Sequence, residues 1–155
     1  MTHRTIAVWL TGVALAFATS LVAAPPDPCT LLTPAQVTAA LGGTVGAGKS
    51  LASKSCRWQQ EGKAGAAVLL LDVTFLTPDR FAHTKSVTIG TVANVGGLGD
   101  DAFYSTLKTG RTTVTTLNVK KGDVAVVIRV SGGEKPVEEY QAKEKAVAQA
   151  LLPKL

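Results

Sequence analysis

Residues that carry enzyme chemistry are scarce in this sequence. The 155-residue chain has two cysteines and two histidines, and only His83 lies beyond the amino-terminal segment. Adjacent acids occur only as Asp100–Asp101 and Glu138–Glu139, and no G-x-S-x-G motif is present. Nucleophilic catalysis needs a nucleophile beside an oriented base, and metal binding needs clustered ligands. We therefore expect a protein that is not an enzyme and that holds no cofactor and no metal.

Concentrated positive charge is also lacking. The formal net charge is +5, but the lysines and arginines are scattered along the chain, and aromatic residues make up only 5% of it. A nucleic-acid-binding domain usually gathers its cations on one face. We therefore expect no nucleic-acid partner, and we attribute the positive charge to solubility, with weak attraction to an anionic envelope surface.

Residues 1–24 have the pattern of a secretory signal peptide. A short basic start precedes an apolar run, and Val22 and Ala24 stand at the −3 and −1 positions of a cleavage site. Residues 5–24 are long enough for an uncleaved membrane anchor, but their polar residues and small-residue exit favour cleavage. We expect removal after Ala24, a periplasmic or secreted location, and no stable membrane span in the remaining chain.

Cys29 and Cys56 remain after this cleavage. In an oxidising compartment, an even pair in a small domain is most simply a disulfide. Closing a loop of this length stabilises the folded state by about 3–4 kcal/mol in the chain-entropy description. Cys29 follows the sequence PPDP rather than a small-residue lipobox, so we do not expect a lipid anchor.

Residues 25–155 predict a single α+β domain. Apolar stripes at helical spacing predict helices within 29–43, 77–86 and 135–152. In the first segment, Thr33 is the expected N-cap, Pro34 the first helical position and Gly42 the stop, and Thr77-Pro78 is a similar start for the second. Alternating or β-rich segments predict strands at 50–60, 66–76, 101–108, 111–120 and 123–130. Short connections that contain glycine predict hairpins between the last three strands. The expected fold is an antiparallel β-sheet of about five strands packed with N- and C-terminal helices.

Residues 43–50, GTVGAGKS, match the Walker A pattern of nucleotide-binding proteins. A functional phosphate-binding loop follows a buried strand and opens a helix. Here a predicted helix precedes Gly43 and a predicted strand follows Ser50. We interpret the match as a glycine-rich connection, and nucleotide binding through Lys49 and Ser50 is a remote alternative.

The turn GGLGD and the aromatic residues after it form the candidate contact surface. A rigid turn beside aromatic side chains can present a fixed surface to a partner. The candidate partner-binding residues are Leu98, Asp100, Phe103 and Tyr104. The alternative interpretation is a tight turn followed by core aromatics.

Several segments in order resemble a broad group of small exported bacterial proteins of unknown function, many of them lipoproteins. These segments are DPCTLLTPAQVTAALGG, CRW, VGGLGDDAFY and LNVKKGDVAVVIRV, followed by an amphipathic helix. The resemblance implies a PsbP-like α+β sandwich, pairing of the two cysteines, and a binding or accessory role without catalytic residues.

Taken together, these features predict an exported, monomeric domain that binds a protein or cell-envelope partner. The alternative is a small-ligand carrier with a cleft between helix and sheet.

The intact mass of the protein from its native host tests the predicted export. We expect a mass that begins at Pro25, carries no lipid, and shows two alkylatable thiols only after reduction. A full-length mass with free thiols would contradict the predicted compartment.

Overall fold

The computed structural model describes residues 26–62, 68–109 and 112–155. The predicted signal peptide lies outside these residues, as do parts of two connections between predicted strands. The described residues form four α-helices and a closing 3-10 turn: α1 (Pro28–Leu31), α2 (Pro34–Leu41), α3 (Pro78–Val87), α4 (Val137–Leu151) and Leu152–Lys154. They also form seven strands: β1 (Lys49–Ala52), β2 (Ser55–Gln59), β3 (Leu70–Leu76), β4 (Thr91–Asn94), β5 (Asp101–Thr109), β6 (Thr112–Lys121) and β7 (Val124–Ser131).

The seven strands join one antiparallel sheet in the order β1-β2-β3-β7-β6-β5-β4. After β3 the chain passes through α3 to the far edge of the sheet and then returns, strand by strand, until β7 pairs with β3. Within the described ranges, no helix is long and apolar enough to cross a lipid bilayer.

The prediction of about five strands with helices at the two ends is wrong, because the described residues contain seven strands and four helices. The additional strands, β1 and β4, are four-residue edge strands whose side chains are all exposed. They lack the apolar alternation that marks a half-buried strand. The predicted strand at 50–60 is a hairpin of β1 and β2, and β4 lies in residues 87–100, for which the sequence predicts no strand.

Capping residues set the helix boundaries. Thr33 caps α2, which confirms the predicted cap, and the residues before it form the separate short helix α1 because Leu32 is extended. Gly42 ends α2 in the left-handed conformation. Thr77 caps α3 through its side chain, which confirms the short helix predicted there.

One face of the sheet, here called the covered face, carries the main hydrophobic core. Alternate residues of the central strands point to it, as Leu71, Val73 and Phe75 do on β3. Helices α2 and α4 pack over this face with their apolar residues Val37, Leu41, Tyr140, Val147 and Leu151. Burying a large apolar side chain stabilises the fold by about 1.5–3 kcal/mol, so this face supplies most of the hydrophobic stabilisation.

The opposite face, here called the open face, is covered only in part. Helix α3 packs there through Phe81, whose ring meets that of Phe103 edge-on with 5.3 Å between centroids. Ala125 and the half-buried Leu76 complete this second, smaller cluster. Beyond α3, this face carries the charged residues Arg57, Asp72 and Arg129 on β2, β3 and β7.

The predicted disulfide is present and joins Cys29 of α1 to Cys56 of β2. Trp58 follows two residues later on the same strand and is fully buried in the same core. Gly48 approaches both residues, and a Cβ placed on it would lie 2.7 Å from Cys56 Sγ and 2.7 Å from Trp58 Cε2. This glycine of the Walker-like segment therefore allows close packing against the disulfide.

Replacing Gly48 with alanine tests this packing role. We expect Gly48→Ala to lower the free energy of unfolding by about 1–3 kcal/mol, because its new methyl group meets buried neighbours that cannot move away. Gly46→Ala is the matched control, since no heavy atom lies within 4 Å of its Cβ position. Urea denaturation of both variants measures the difference, and equal midpoints would contradict the packing role.

Candidate functional site

Three of the four predicted contact residues are buried. Leu98 and Tyr104 lie in the main core and Phe103 lies in the smaller cluster, while Asp100 is exposed. The structure does not bring these four side chains together as one accessible surface.

The two aromatic candidates face opposite sides of the sheet because they are successive residues of β5. Phe103 packs under α3, whereas Tyr104 lies under α4 and its hydroxyl donates to the Gln141 carbonyl oxygen at 2.8 Å. Burial raises the pKa of Tyr104 to about 12, and the negative charge of Glu144 adds to the shift. Both rings contribute to packing.

Asp100 connects its turn to the β6–β7 turn. Its Oδ2 accepts a hydrogen bond from the Gly122 N–H at 2.7 Å, and its own N–H donates to the Lys120 carbonyl oxygen at 2.8 Å. The Lys120 ammonium lies 3.8 Å from the same carboxylate. A partner contact at Asp100 stays a prediction.

The Walker-like segment runs from the end of α2 into β1, the reverse of the strand-then-helix order of a phosphate-binding loop. Lys49 and Ser50 are exposed on this edge strand, and the Ser50 hydroxyl donates to the Ala52 carbonyl oxygen at 3.1 Å. A hollow of about 430 Å³ beside Lys49 is also lined by Arg57 and Glu61. It therefore combines both signs of charge.

The sheet divides between β6 and β7. Their register ends at the pair Leu117 and Ile128. Beyond this pair β6 continues with β5, and residues 129–131 of β7 continue with β3. We call this place the fork. Backbone groups inside it need partners other than the sheet ladder, because buried N–H groups are rarely left unpaired.

Glu144 of α4 reaches the fork from the covered face. Its Oε1 accepts a hydrogen bond from the Val130 N–H at 3.1 Å, and the residue is fully buried. Burial raises the pKa of Glu144 to about 8, against smaller opposing effects of the Val130 N–H and the charge of Arg129. With this raised pKa, the Glu144 carboxyl group is mainly protonated at neutral pH. In the described part of the chain, Glu144 Oε2 and Thr115 Oγ1 are buried without hydrogen-bond partners.

An apolar groove of about 320 Å³ lies over the fork on the open face, and we call it the fork groove. Val87, Ile89 and Leu107 supply apolar side chains to its lining. Thr116 and Arg129 come from the two separating strands, and Arg129 Nε donates to Thr116 Oγ1 at 3.3 Å. The groove thus combines apolar walls with a guanidinium group.

The segment that follows α3 is held against the sheet and forms one wall of the fork groove. Gly90 adopts a φ of 114°, and a Cβ at this position would collide with the Thr106 carbonyl oxygen. Thr88 Oγ1 donates to the Thr84 carbonyl oxygen at 2.6 Å and fixes the end of the helix. This wall is therefore built into the fold.

A second groove, of about 400 Å³, lies between α3 and the sheet. Phe81 and Ala82 line it, together with the charged residues Lys85, Asp101 and Lys120. Lys85 Nζ forms an ion pair with Asp101 at 2.9 Å. Within the described ranges, no group of three His, Cys, Asp or Glu side chains is placed to hold a metal ion.

Sequence reasoning missed Glu144 and Arg129. Glu144 lies in the apolar stripe of α4, between Tyr140 and Val147, and that position was a usable signal. An acid on the buried side of a helix requires a hydrogen-bond partner. Arg129 gives a weaker signal, because an alternating strand does not reveal whether a helix covers its second face.

Comparison with protein-family models, curated proteins and solved structures finds no match.

The buried Glu144 predicts the direction in which the free energy of unfolding changes with pH. Between its ordinary pKa of 4.5 and its folded value of about 8, the folded protein keeps a proton that the unfolded chain releases. Stability therefore falls as pH rises through this window, by up to about 1.4 kcal/mol per pH unit.

We expect Glu144→Gln to remove this part of the pH dependence. The amide side chain stays neutral, and its oxygen can still accept a hydrogen bond from the Val130 N–H. Urea unfolding at about pH 5, 7 and 9 measures it. Glu138→Gln, an exposed change on the same helix, is the control. If Glu144→Gln keeps the wild-type dependence of the free energy of unfolding on pH, another group causes it.

Proposed function

We propose that this protein is an exported, non-enzymatic binding domain that contacts a protein partner through the fork groove. One observation carries the proposal: large apolar side chains are exposed together at this groove. Ile89 is 83% exposed, Val87 55% and Leu107 42%. A contiguous apolar area on the surface of a soluble domain commonly marks an interaction site.

A neighbouring strand extends this apolar area. Val92 of β4 is directly opposite Ser105 of β5, which also lines the groove, and Val92 is itself exposed. Residues directly opposite each other in an antiparallel pair point to the same face. The apolar area therefore continues from the groove to the sheet edge.

Export is supported by the signal-peptide pattern of residues 1–24 and by the Cys29–Cys56 disulfide. Disulfides persist in oxidising compartments and are rare in the cytosol of most organisms. The resemblance to small exported bacterial proteins belongs to the same proposal, as does a monomeric state before the partner binds.

A small-ligand carrier is the second candidate, and the groove between α3 and the sheet favours it. That groove has an apolar lining around Phe81 and an ion pair, Lys85–Asp101, at which a polar group of a ligand could be oriented. We do not extend the proposal to nucleotide binding, because Lys49 and Ser50 begin a strand rather than a helix.

Photo-crosslinking in the native host tests the protein partner. A photoreactive residue in place of Ile89 or Leu107 should give a discrete protein adduct, because both side chains line the proposed contact. Glu138 is the control, since it is exposed on α4, which packs over the other face of the sheet. No adduct from the groove, or the same adducts from position 138, would reject this function.

A further inference from the structure

We propose that the partner element bound at the fork groove is an extended acidic peptide segment. One of its apolar side chains lies among Val87, Ile89 and Leu107, and one of its carboxylates binds Arg129. This inference rests on the proposed function, because it names the chemistry of the partner at the same surface.

A row of charged side chains leads across the open face to the fork groove. Cross-strand register places Lys49 beside Arg57, Arg57 beside Asp72, and Asp72 beside Arg129. These residues occupy four adjacent strands, which lie about 4.8 Å apart, so the row is about 14 Å long. We call it the basic row, and Arg129 belongs both to it and to the groove.

The basic row has an excess of positive charge. Arg57 holds Asp72 in a two-point ion pair, with Nε to Oδ1 at 2.6 Å and the second guanidinium contact at 2.9 Å. This pair is neutral as a unit. Lys49 and Arg129 are exposed, and neither forms a salt bridge within the described residues. Glu61 lines the hollow beside Lys49, so the excess positive charge is clearest at Arg129. A complementary partner therefore carries negative charge.

The fork groove itself also favours a negatively charged partner. Its charged lining residue is Arg129, and no carboxylate from the described part of the chain lines it. Thr88, Ser105 and Thr116 add hydroxyl groups beside the apolar side chains. This lining suits an apolar side chain that is followed closely by a carboxylate.

An extended segment fits this arrangement better than a compact ligand or an anionic membrane. Alternate side chains of an extended chain lie about 7 Å apart on one side, so an anchor in the groove and carboxylates along the row can bind together. A lipid surface presents negative charge over a wide area, whereas Lys49 and Arg129, the two cations of this row without a salt bridge among the described residues, lie at its two ends. A peptide can carry its acids only where cations face it.

Synthetic peptides and amide chemical-shift mapping on the oxidised domain, residues 25–155, test the inference. The probe is a short peptide in which leucine and glutamate are separated by serine. One control peptide replaces its glutamates with lysine, and another replaces its leucines with serine. We expect the acidic leucine peptide to bind, with shifts at residues 87–89, 105–107 and 129. The lysine peptide should not bind, and the serine peptide should bind more weakly.

Single substitutions distinguish the apolar contact in the groove from the ionic contact with Arg129. Ile89→Ser should raise the dissociation constant of the acidic leucine peptide about tenfold, because it removes apolar contact area. Arg129→Gln should raise it about two- to fivefold and reduce its salt dependence, as expected for an exposed ion pair. Arg80→Gln on α3 is the control, since Arg80 is exposed outside the groove lining, and it should leave binding unchanged.

Equal binding of the lysine peptide, or unchanged binding by Arg129→Gln, would overturn the inference. Binding of anionic phospholipid vesicles at these residues without peptide binding would assign the surface to a membrane and would also overturn the inference. Self-association of the domain that is lost in Ile89→Ser would assign the surface to a second copy of the chain, with the same consequence. Crosslinks from Ile89 without acidic-peptide binding reject this inference alone. Peptide binding without a crosslinked protein in the host rejects the proposed function instead.

Discussion

A sheet has two faces, and in this protein the helices bury one of them fully and the other only in part. The long helix α4, together with α2, covers the face on which Leu71, Ile128 and Leu117 meet. The shorter α3 covers only the region of Phe103 on the second face. The position of the core and the position of the exposed groove both follow from this unequal coverage.

The fork connects the two faces. On the covered side of the fork, Glu144 accepts a hydrogen bond from the Val130 N–H, and Arg129 lies at the fork on the open side. A buried acid is tolerated there because the gap offers a donor and because protonation removes the cost of burying a charge. The same backbone feature thus places a polar group in the core and a cation in the candidate site.

Short local patterns predicted much of the framework. The Thr33 and Thr77 caps, the Cys29–Cys56 disulfide and the long central strands were all readable from neighbouring residues. The turn between β1 and β2 and the edge strand β4 were not, because short exposed edge strands have no apolar alternation and form through pairing. Phe103 and Tyr104 were assigned to one surface, although their successive positions place them on opposite faces.

The sequence by itself determined the α+β class, the disulfide and the starts of α2 and α3, because each depends on residues close together or on one unique pair. Only the tertiary structure decided which sheet face stays open, where the fork lies, and that Ile89 meets Leu107 and Arg129 at one groove. These residues come from separate elements of the chain. Their proximity depends on strand order and helix coverage, which local residue patterns do not encode.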